Sequence, residues 1–390
     1  MSDICNLQLG DLIEFQRGYD LPQSSFNHGT IPVISSNGIL GYHDEYKVIG
    51  PGITIGRSGT VGLPHFIKEN FFPHNTSLFV KDFKGNDPKY IFYLLKNLGL
   101  QTQKSGSGVP TMNRNHLHPL KILAHLNLDI QKKIAAVLSS LDDKIELNNR
   151  INSELENLAK TIYDYWFVQF DFPDENGKPY KFSGGKMVYN QELKREIPAG
   201  WEVKKLGKIL KTSLGGTPST KESNYWVNGN IPWLNSGEIS NFPVISSEKC
   251  ITQKGIDNSP AELLPKGSIV ISTVRYIRPS ILAIKAAANQ SVLGIYESDK
   301  LLNCFIYPYL VSQVPRLMSL RTGAQQPHIN KETIDTSLIT IPENDVLQNY
   351  YKITKPLFKE IINIAFQNQQ LTQLRDWLLP MLMNGQITVK

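Results

Sequence analysis

The chain carries the same series of short signatures twice, in the same order, roughly 200–217 residues apart. Leu9-Gly10-Asp11-Leu12-Ile13, followed by Arg17-Gly18, returns as Leu206-Gly207-Lys208-Ile209-Leu210, followed by Gly215-Gly216. Ile31-Pro32-Val33-Ile34-Ser35-Ser36-Asn37-Gly38 returns as Ile231-Pro232-Trp233-Leu234-Asn235-Ser236-Gly237. Gly52-Ile53-Thr54-Ile55 matches Gly267-Ser268-Ile269-Val270-Ile271, and His74-Asn75-Thr76-Ser77-Leu78 matches Ala288-Asn289-Gln290-Ser291-Val292. Gly108-Val109-Pro110-Thr111-Met112-Asn113 matches Gln325-Gln326-Pro327-His328-Ile329-Asn330. In 390 residues, so long a period means two copies of a domain, not a solenoid.

Within each copy, short β-rich runs lie between Gly, Pro and Asn residues. Residues 31–35, 53–55 and 77–80 are mirrored by 231–234, 268–273 and 292–296. Short helices are expected at 90–98 and from 305–310 onward. The pattern reads as a mixed α/β domain rich in loops, and loops commonly carry recognition residues.

Each copy ends in a long helical stripe. Ile134, Leu138, Leu141 and Ile145, then Ile151, Leu155, Leu158, Ile162 and Tyr165, step by three and four residues. Asn148-Asn149 breaks that seam as a short stammer would. At 1.5 Å per residue the stripe over 131–168 is about 55 Å long. Its counterpart, 346–384, runs through Tyr350, Ile353, Leu357, Ile361 and Ile364 to Leu371, Leu374 and Leu378. Pro356 starts or kinks it, Gly385 ends it, and Asp129 is the expected cap of the first helix. Neither helix can bury its length on a domain of this size, so pairing with each other is the economical solution, with an oligomeric coiled coil between chains as the alternative. The fold class is thus α+β, a tandem duplication whose two long helices pack as an antiparallel coiled coil. The segments are 1–130, 131–170, 171–200 as a linker, 201–342, and 343–390.

Charge is uneven. Of the net +6, block 201–342 supplies +5, with 15 Lys+Arg against 10 Asp+Glu. That allows a nucleic-acid partner without demanding one. Cys5, Cys250 and Cys304 are too scattered for a zinc finger or a disulfide scaffold, which fits a reducing cytoplasm. The first six residues lack a signal-peptide pattern, and no apolar run is long enough for a membrane span.

Catalytic motifs do not emerge. There is no G-x-x-x-x-G-K-[ST] phosphate loop, and Ser105-Gly106-Ser107-Gly108 lacks a dinucleotide-site setting. Asn230-Ile231-Pro232-Trp233 has Ile where an adenine methyltransferase turn needs Pro, so it reads as the start of a strand. Asp142-Asp143 reads as a solvated helix face, and His65, His74, His116 and His118 read as surface histidines without a third metal ligand. The aromatic run Tyr163-Asp164-Tyr165-Trp166-Phe167 reads as a helix end docking into a core, with a partner-protein contact as the rival. No catalytic, cofactor or metal residue is assigned.

What remains is a recognition surface on the loops. In the first copy it comprises Arg17, Ser36, Asn37, Arg57, Ser58, Lys104, Ser105, Ser107 and Arg114. In the second it comprises Lys221, Asn235, Ser236, Arg275, Tyr276, Arg278, Asn289, Gln290, Arg321, Gln325 and Gln326. Arg matches guanine O6 and N7, Asn and Gln match adenine N6 and N7, and Ser and Lys hold phosphates.

On these motifs the whole chain resembles the DNA specificity subunit of type I restriction-modification systems. One carrier is Gly215-Gly216-Thr217-Pro218-Ser219-Thr220, with Tyr225-Trp226 and Gly229-Asn230-Ile231-Pro232-Trp233-Leu234-Asn235-Ser236-Gly237-Glu238-Ile239. The other is Gln131-Lys132-Lys133-Ile134-Ala135 with Leu141-Asp142-Asp143-Lys144-Ile145-Glu146-Leu147-Asn148-Asn149. The second copy departs by having Ser272-Thr273-Val274-Arg275 where the first has Arg57-Ser58-Gly59, and by lacking a Gly-Ser-Gly before its Pro-x-x-Asn.

The resemblance implies two target-recognition domains, each in the major groove at one half of a bipartite double-stranded DNA site. It implies helices that set the gap, a pseudo-two-fold that docks two methyltransferase subunits, and a motor–nuclease subunit that can join. S-adenosylmethionine would sit in the methyltransferase partner, which flips out an adenine for N6 methylation. The chain would be a non-catalytic prokaryotic cytoplasmic protein associated with the nucleoid. Two rival classes stand beside this: a single-chain methyltransferase or nuclease, which lacks its motifs here, and a coiled-coil adaptor, which leaves the duplicated loops unexplained.

Overall fold

A computed structural model describes residues 4–102, 111–323 and 328–389. They form two compact units, one of 1–147 with 369–390 and one of 148–368.

The first unit holds a four-stranded sheet in the order Glu14–Arg17, Ser77–Asp82, Gly52–Gly56, Pro64–Ile67. Gly52-Ile53-Thr54-Ile55-Gly56 is buried throughout, as suits a β-branched central strand covered on both faces. A three-stranded sheet follows the order Gly38–His43, Ile31–Ser35, Phe72–Pro73. Strands Ile4–Gln8 and Lys121–His125 pair antiparallel and bring the ends of the domain together. Helix Pro88–Asn97 starts as its sequence directs, with Pro88 in the first turn and Asp87 accepting the Tyr90 amide at 2.8 Å.

The second unit repeats this plan strand for strand. Its four-stranded sheet runs Thr212–Leu214, Val292–Ile295, Ile269–Ser272, Pro279–Ile281. Its three-stranded sheet runs Lys249–Ile251, Ile231–Leu234, Ala287–Ala288. Strands Glu202–Lys205 and Leu338–Ile341 pair as the two end strands of the first unit do. Helix Asn303–Ser319 is longer than the short helix expected there and contains Pro308. A proline has no N–H for the carbonyl four residues back. The buried Tyr350 hydroxyl donates to that carbonyl, Cys304 O, at 3.0 Å instead.

Residues 171–200 carry structure of their own. They include the hairpin Met187–Asn190 with Arg195–Pro198. Phe172 stacks between Tyr180 and Trp201, with ring centroids 4.6 and 5.1 Å away, and the Arg195 guanidinium lies 4.9 Å from the Phe170 ring. The aromatic run that closes the first long helix docks here, with Tyr163, Trp166 and Phe167 buried beside Phe305 and Tyr350.

The two long helices are Leu128–Tyr163, continued by a wider turn over Asp164–Val168, and Asn344–Met383. The second passes through Pro356 without interruption. The cap of the first is Asn127, not Asp129: Asn127 Oδ1 accepts the amides of Asp129 and Ile130 at 2.9 and 3.2 Å. In each unit the helices pack antiparallel. In the first, Ile134, Leu138, Leu379 and Leu382 enter one core with Ile53, Ile55 and Leu94. Asp142, read above as solvated, is half-buried there: it accepts from Tyr93 Oη at 2.8 Å and from Arg375 Nη1 at 2.6 Å. Asp143 alone of the pair is exposed, because it points off the packed face. In the second unit, Tyr163 meets Tyr350 and the Asn152 amide donates to Ile361 O at 3.3 Å. The apolar stripe is not fully covered, since Ile151, Leu158, Ile353, Leu374 and Trp377 remain exposed.

Candidate nucleic-acid interface

In both units a set of loops gathers where the parallel strand pair meets the four-stranded sheet. Val33 pairs with Phe72 and Ile34 with Pro73 in the first; Trp233 pairs with Ala287 and Leu234 with Ala288 in the second. One backbone hydrogen-bond frame holds these loops twice. His74 N to Ile34 O is 2.9 Å and Asn289 N to Leu234 O is 2.8 Å. Gly18 N to Ser77 O and Gly215 N to Val292 O are both 3.0 Å, and Tyr19 N to Pro73 O and Gly216 N to Ala288 O are both 2.8 Å. Arg57 N to Thr76 O is 2.8 Å and Thr273 N to Ser291 O is 2.9 Å. Met112 N to Arg57 O is 2.8 Å and Ile329 N to Thr273 O is 2.9 Å.

This frame shifts two of the sequence pairings by one residue. Gly18 corresponds to Gly215, not Gly216, and His74 corresponds to Asn289, which the sequence pairs with Asn75. Matching residue types brings Gly to Gly and Asn to Asn. The hydrogen bonds follow backbone position and are indifferent to side-chain identity.

In the first unit Arg17, Ser36, Asn37, Arg57 and Ser58 come together. The Ser36 amide donates to Thr76 Oγ1 at 3.3 Å, and the Arg57 and Ser58 amides share Thr76 O. The Arg57 guanidinium makes a long 3.5 Å contact to Asn75 O. Arg17 pairs with Asp20 at 3.0 Å, and Asp20 also accepts from the Asn75 amide. Asn37 is exposed, whereas Ser36 is buried beneath the turn. Arg114 is exposed at the start of the short helix Arg114–Leu117, two residues after the Met112 tie. Thr76, Asp20 and Asn75 were missed as site residues. Thr76 and Asn75 lay inside a repeated motif, and that was the available signal.

His116 is exposed as read, but His74 and His118 are not simply surface groups. His74 Nδ1 bonds Thr76 Oγ1 at 3.1 Å and its Nε2 bonds Leu21 O at 3.2 Å, which ties two loops together. His118 accepts the Phe15 amide at 3.0 Å; burial, with Arg114 and Lys84 nearby, lowers its pKa below the usual histidine value and keeps that acceptor available. No group able to hold a metal ion occurs among the described residues.

In the second unit Asn235, Ser236, Arg275, Tyr276 and Arg278 line one cleft of about 670 Å³, together with Ser240, Ser272 and Ser291, which sequence reasoning missed. Arg275 and Arg278 are exposed, and neither guanidinium has a carboxylate partner among the described residues. Asn235 Oδ1 accepts the amides of Gly237 at 2.7 Å and Glu238 at 3.3 Å. That oxygen is occupied, so Asn235 offers its amide hydrogens rather than a two-point adenine contact. Asn289 Oδ1 accepts the Ser291 amide at 3.0 Å, and Gln290 accepts from Thr217 Oγ1 at 2.6 Å. Arg321 donates to Met318 O at 3.0 Å and to Arg275 O at 2.6 Å, bracing the loop that carries Arg275. Lys221 is exposed on a neighbouring loop and lines no part of the cleft. Lys104, Ser105, Ser107, Gln325 and Gln326 lie outside the described residues.

A family model described as the type I restriction modification DNA specificity domain matches residues 1–157 and 198–373. The MjaIX specificity subunit of a type I restriction enzyme from Methanocaldococcus jannaschii is 30% identical over 312 residues, covering 77% of this chain and 69% of that one. The HindI specificity subunit from Haemophilus influenzae is 24% identical over 312 residues, covering 66% and 67%. The crystal structure of a type I restriction-modification S subunit from M. genitalium has the same fold, with a TM-score of 0.62 at 16% identity over 97% of this chain and 96% of that one.

Proposed function

Because the chain belongs to the type I restriction-modification DNA specificity family, as the non-catalytic subunit that carries the specificity for DNA, we propose that its two copies divide one bipartite target between them. Domain 1–130 reads one half-site and domain 201–342 reads the other, each by placing its loop cluster in the major groove. The observation that carries this reading is the twice-used backbone frame bearing different side chains. An identical scaffold presents two sites to the same kind of ligand, and unlike side chains give each its own sequence preference.

The long helices act as the spacer between half-sites, since grooves on one face of DNA recur about every 34 Å. They also dock two methyltransferase subunits. Exposed Ile151, Leu158, Ile353, Leu374 and Trp377, the last 54% exposed, leave apolar surface for such partners. S-adenosylmethionine belongs to those partners, and a motor–nuclease subunit joins them for restriction. No helix among the described residues is long and apolar enough to cross a membrane.

The test is a methylation map. The chain is co-expressed with its methyltransferase partner in an unmethylated host, and modified adenines are read genome-wide. A split motif with a fixed non-specific gap is expected, and exchanging 201–342 for the same domain of a relative should change one half only. A continuous motif, or a change in both halves, would refute the division of labour.

A further inference from the structure

The turn after the central strand of each four-stranded sheet is built on one frame but carries its arginines at different positions. Gly56 N bonds Leu63 O at 3.3 Å, and Ser272 N bonds Arg278 O at 3.2 Å, so Arg278 stands where the first domain has Leu63. Ser58 bridges to Thr111 and Val274 to His328, so the following residues, Gly59 and Arg275, also correspond. Both have left-handed backbone, with φ of 81° and 56°. The second domain therefore has two arginines where the first has glycine and leucine.

Arg278 is the better organised of the two. It lies between buried Ile277 and Pro279, the first residue of a strand. Its guanidinium lies 5.5 Å from the ring centroid of Tyr276, which is itself 67% exposed. Its side chain makes no hydrogen bond among the described residues and lines the cleft with serines and Asn235, so its donors are free to meet a ligand there. A guanidinium stacked on a ring loses little freedom when it binds, and its fork geometry matches guanine O6 and N7. The first domain has no arginine at these two positions: its Arg57 sits at the start of the turn with one long 3.5 Å contact to Asn75 O, and Arg17 pairs with Asp20.

We infer that Arg278, held by Tyr276, reads a guanine in the half-site of the second domain, and that the turn carrying it sets the difference in specificity between the two domains. This rests on the two-domain reading above. A phosphate contact is the rival role for the same arginine, and the two behave differently on substitution. Lysine can replace arginine at a phosphate but does not reproduce the two-point guanine contact.

The experiment compares wild type, Arg278→Lys and Arg278→Leu, each assembled with the methyltransferase partner. The readouts are the methylation map and competition binding with duplexes altered at one base pair at a time. Both variants should lose discrimination roughly tenfold or more at a single G·C pair in one half-site, with the other half unchanged. Full discrimination in Arg278→Lys overturns the inference. So does a loss spread over all positions, complete inactivity included, or a half-site that contains no G·C pair. A continuous wild-type motif would instead refute the two-domain reading, while the comparison at Arg278 still shows whether one G·C position depends on that side chain.

Discussion

The Asn148 side-chain amide donates to Asn368 Oδ1 at 2.8 Å across the helix pair, and to Gln367 Oε1 at 2.7 Å. Asn368 returns a hydrogen bond to Asn149 Oδ1 at 2.8 Å. With Asn148 1% exposed, this is a buried polar layer within the helix pair. A buried asparagine in paired helices fixes register at some cost in stability. Asn148→Ala leaves Gln367 and Asn368 short of a donor and should cost about 1–3 kcal/mol in urea unfolding. Asn148→Leu removes the same donor but fills the space, so it should cost less than the alanine variant, and it should allow slippage, seen as more than one gap length in the methylation map. A single unchanged gap in the leucine variant would remove the register role.

Arg275 occupies the left-handed backbone that its counterpart Gly59 adopts without strain. A side chain there costs on the order of 1 kcal/mol, which glycine relieves while adding freedom to the unfolded chain. Arg275→Gly should therefore change folding stability by less than about 1 kcal/mol. It should weaken DNA binding by the assembled complex and reduce the salt slope of log Kd by about one. Unaltered affinity and slope in a salt titration would exclude Arg275 from the interface.

Gly18 and Gly215 make the same close approach in the two domains. A Cβ on Gly18 would lie 2.1 Å from His74 O, and one on Gly215 would lie 2.3 Å from the corresponding Asn289 O. Neither backbone can yield without breaking the hydrogen bond frame. Gly18→Ala and Gly215→Ala should each cost about 1–3 kcal/mol, and each should impair recognition of a different half-site. Chemical denaturation and the methylation map check the two parts separately.

The Lys211 ammonium and the Tyr296 hydroxyl, the latter at 2.6 Å, hold the Glu262 carboxyl down at about 2 against an ordinary 4.5. A carboxylate depressed in the folded state adds stability above its unfolded pKa and loses it as the pH falls through the folded value. The stability gap between wild type and Glu262→Gln should thus be present at neutral pH and shrink between roughly pH 4.5 and 2. A gap independent of pH would show that the ion pair contributes nothing. Since Glu262 is substantially exposed, high salt should also narrow the gap.

Periodicity and repetition were enough to expect two domain copies and two long helices, and the resemblance of particular motifs pointed to the family. Those features are local: a three–four step of apolar residues or a Gly-bounded β-branched run specifies its element wherever the chain lies. Residue types on the loops of the second copy were equally legible, and the cleft collects Asn235, Ser236, Arg275, Tyr276 and Arg278. What the tertiary structure decided is which of these polar groups stay free. Asn235 and Arg321 have the chemistry of base readers, but folding directs the oxygen of one and two donors of the other to nearby backbone. Asp142 lies on a helix like any solvated acid, yet Tyr93 and Arg375 reach it from other elements. The sequence set the two turns against each other, but their register, Gly59 with Arg275 and Leu63 with Arg278, emerged only from backbone pairing. A hydrogen bond is satisfied by position in space, so partners far apart in sequence leave no periodic trace that a linear reading could find.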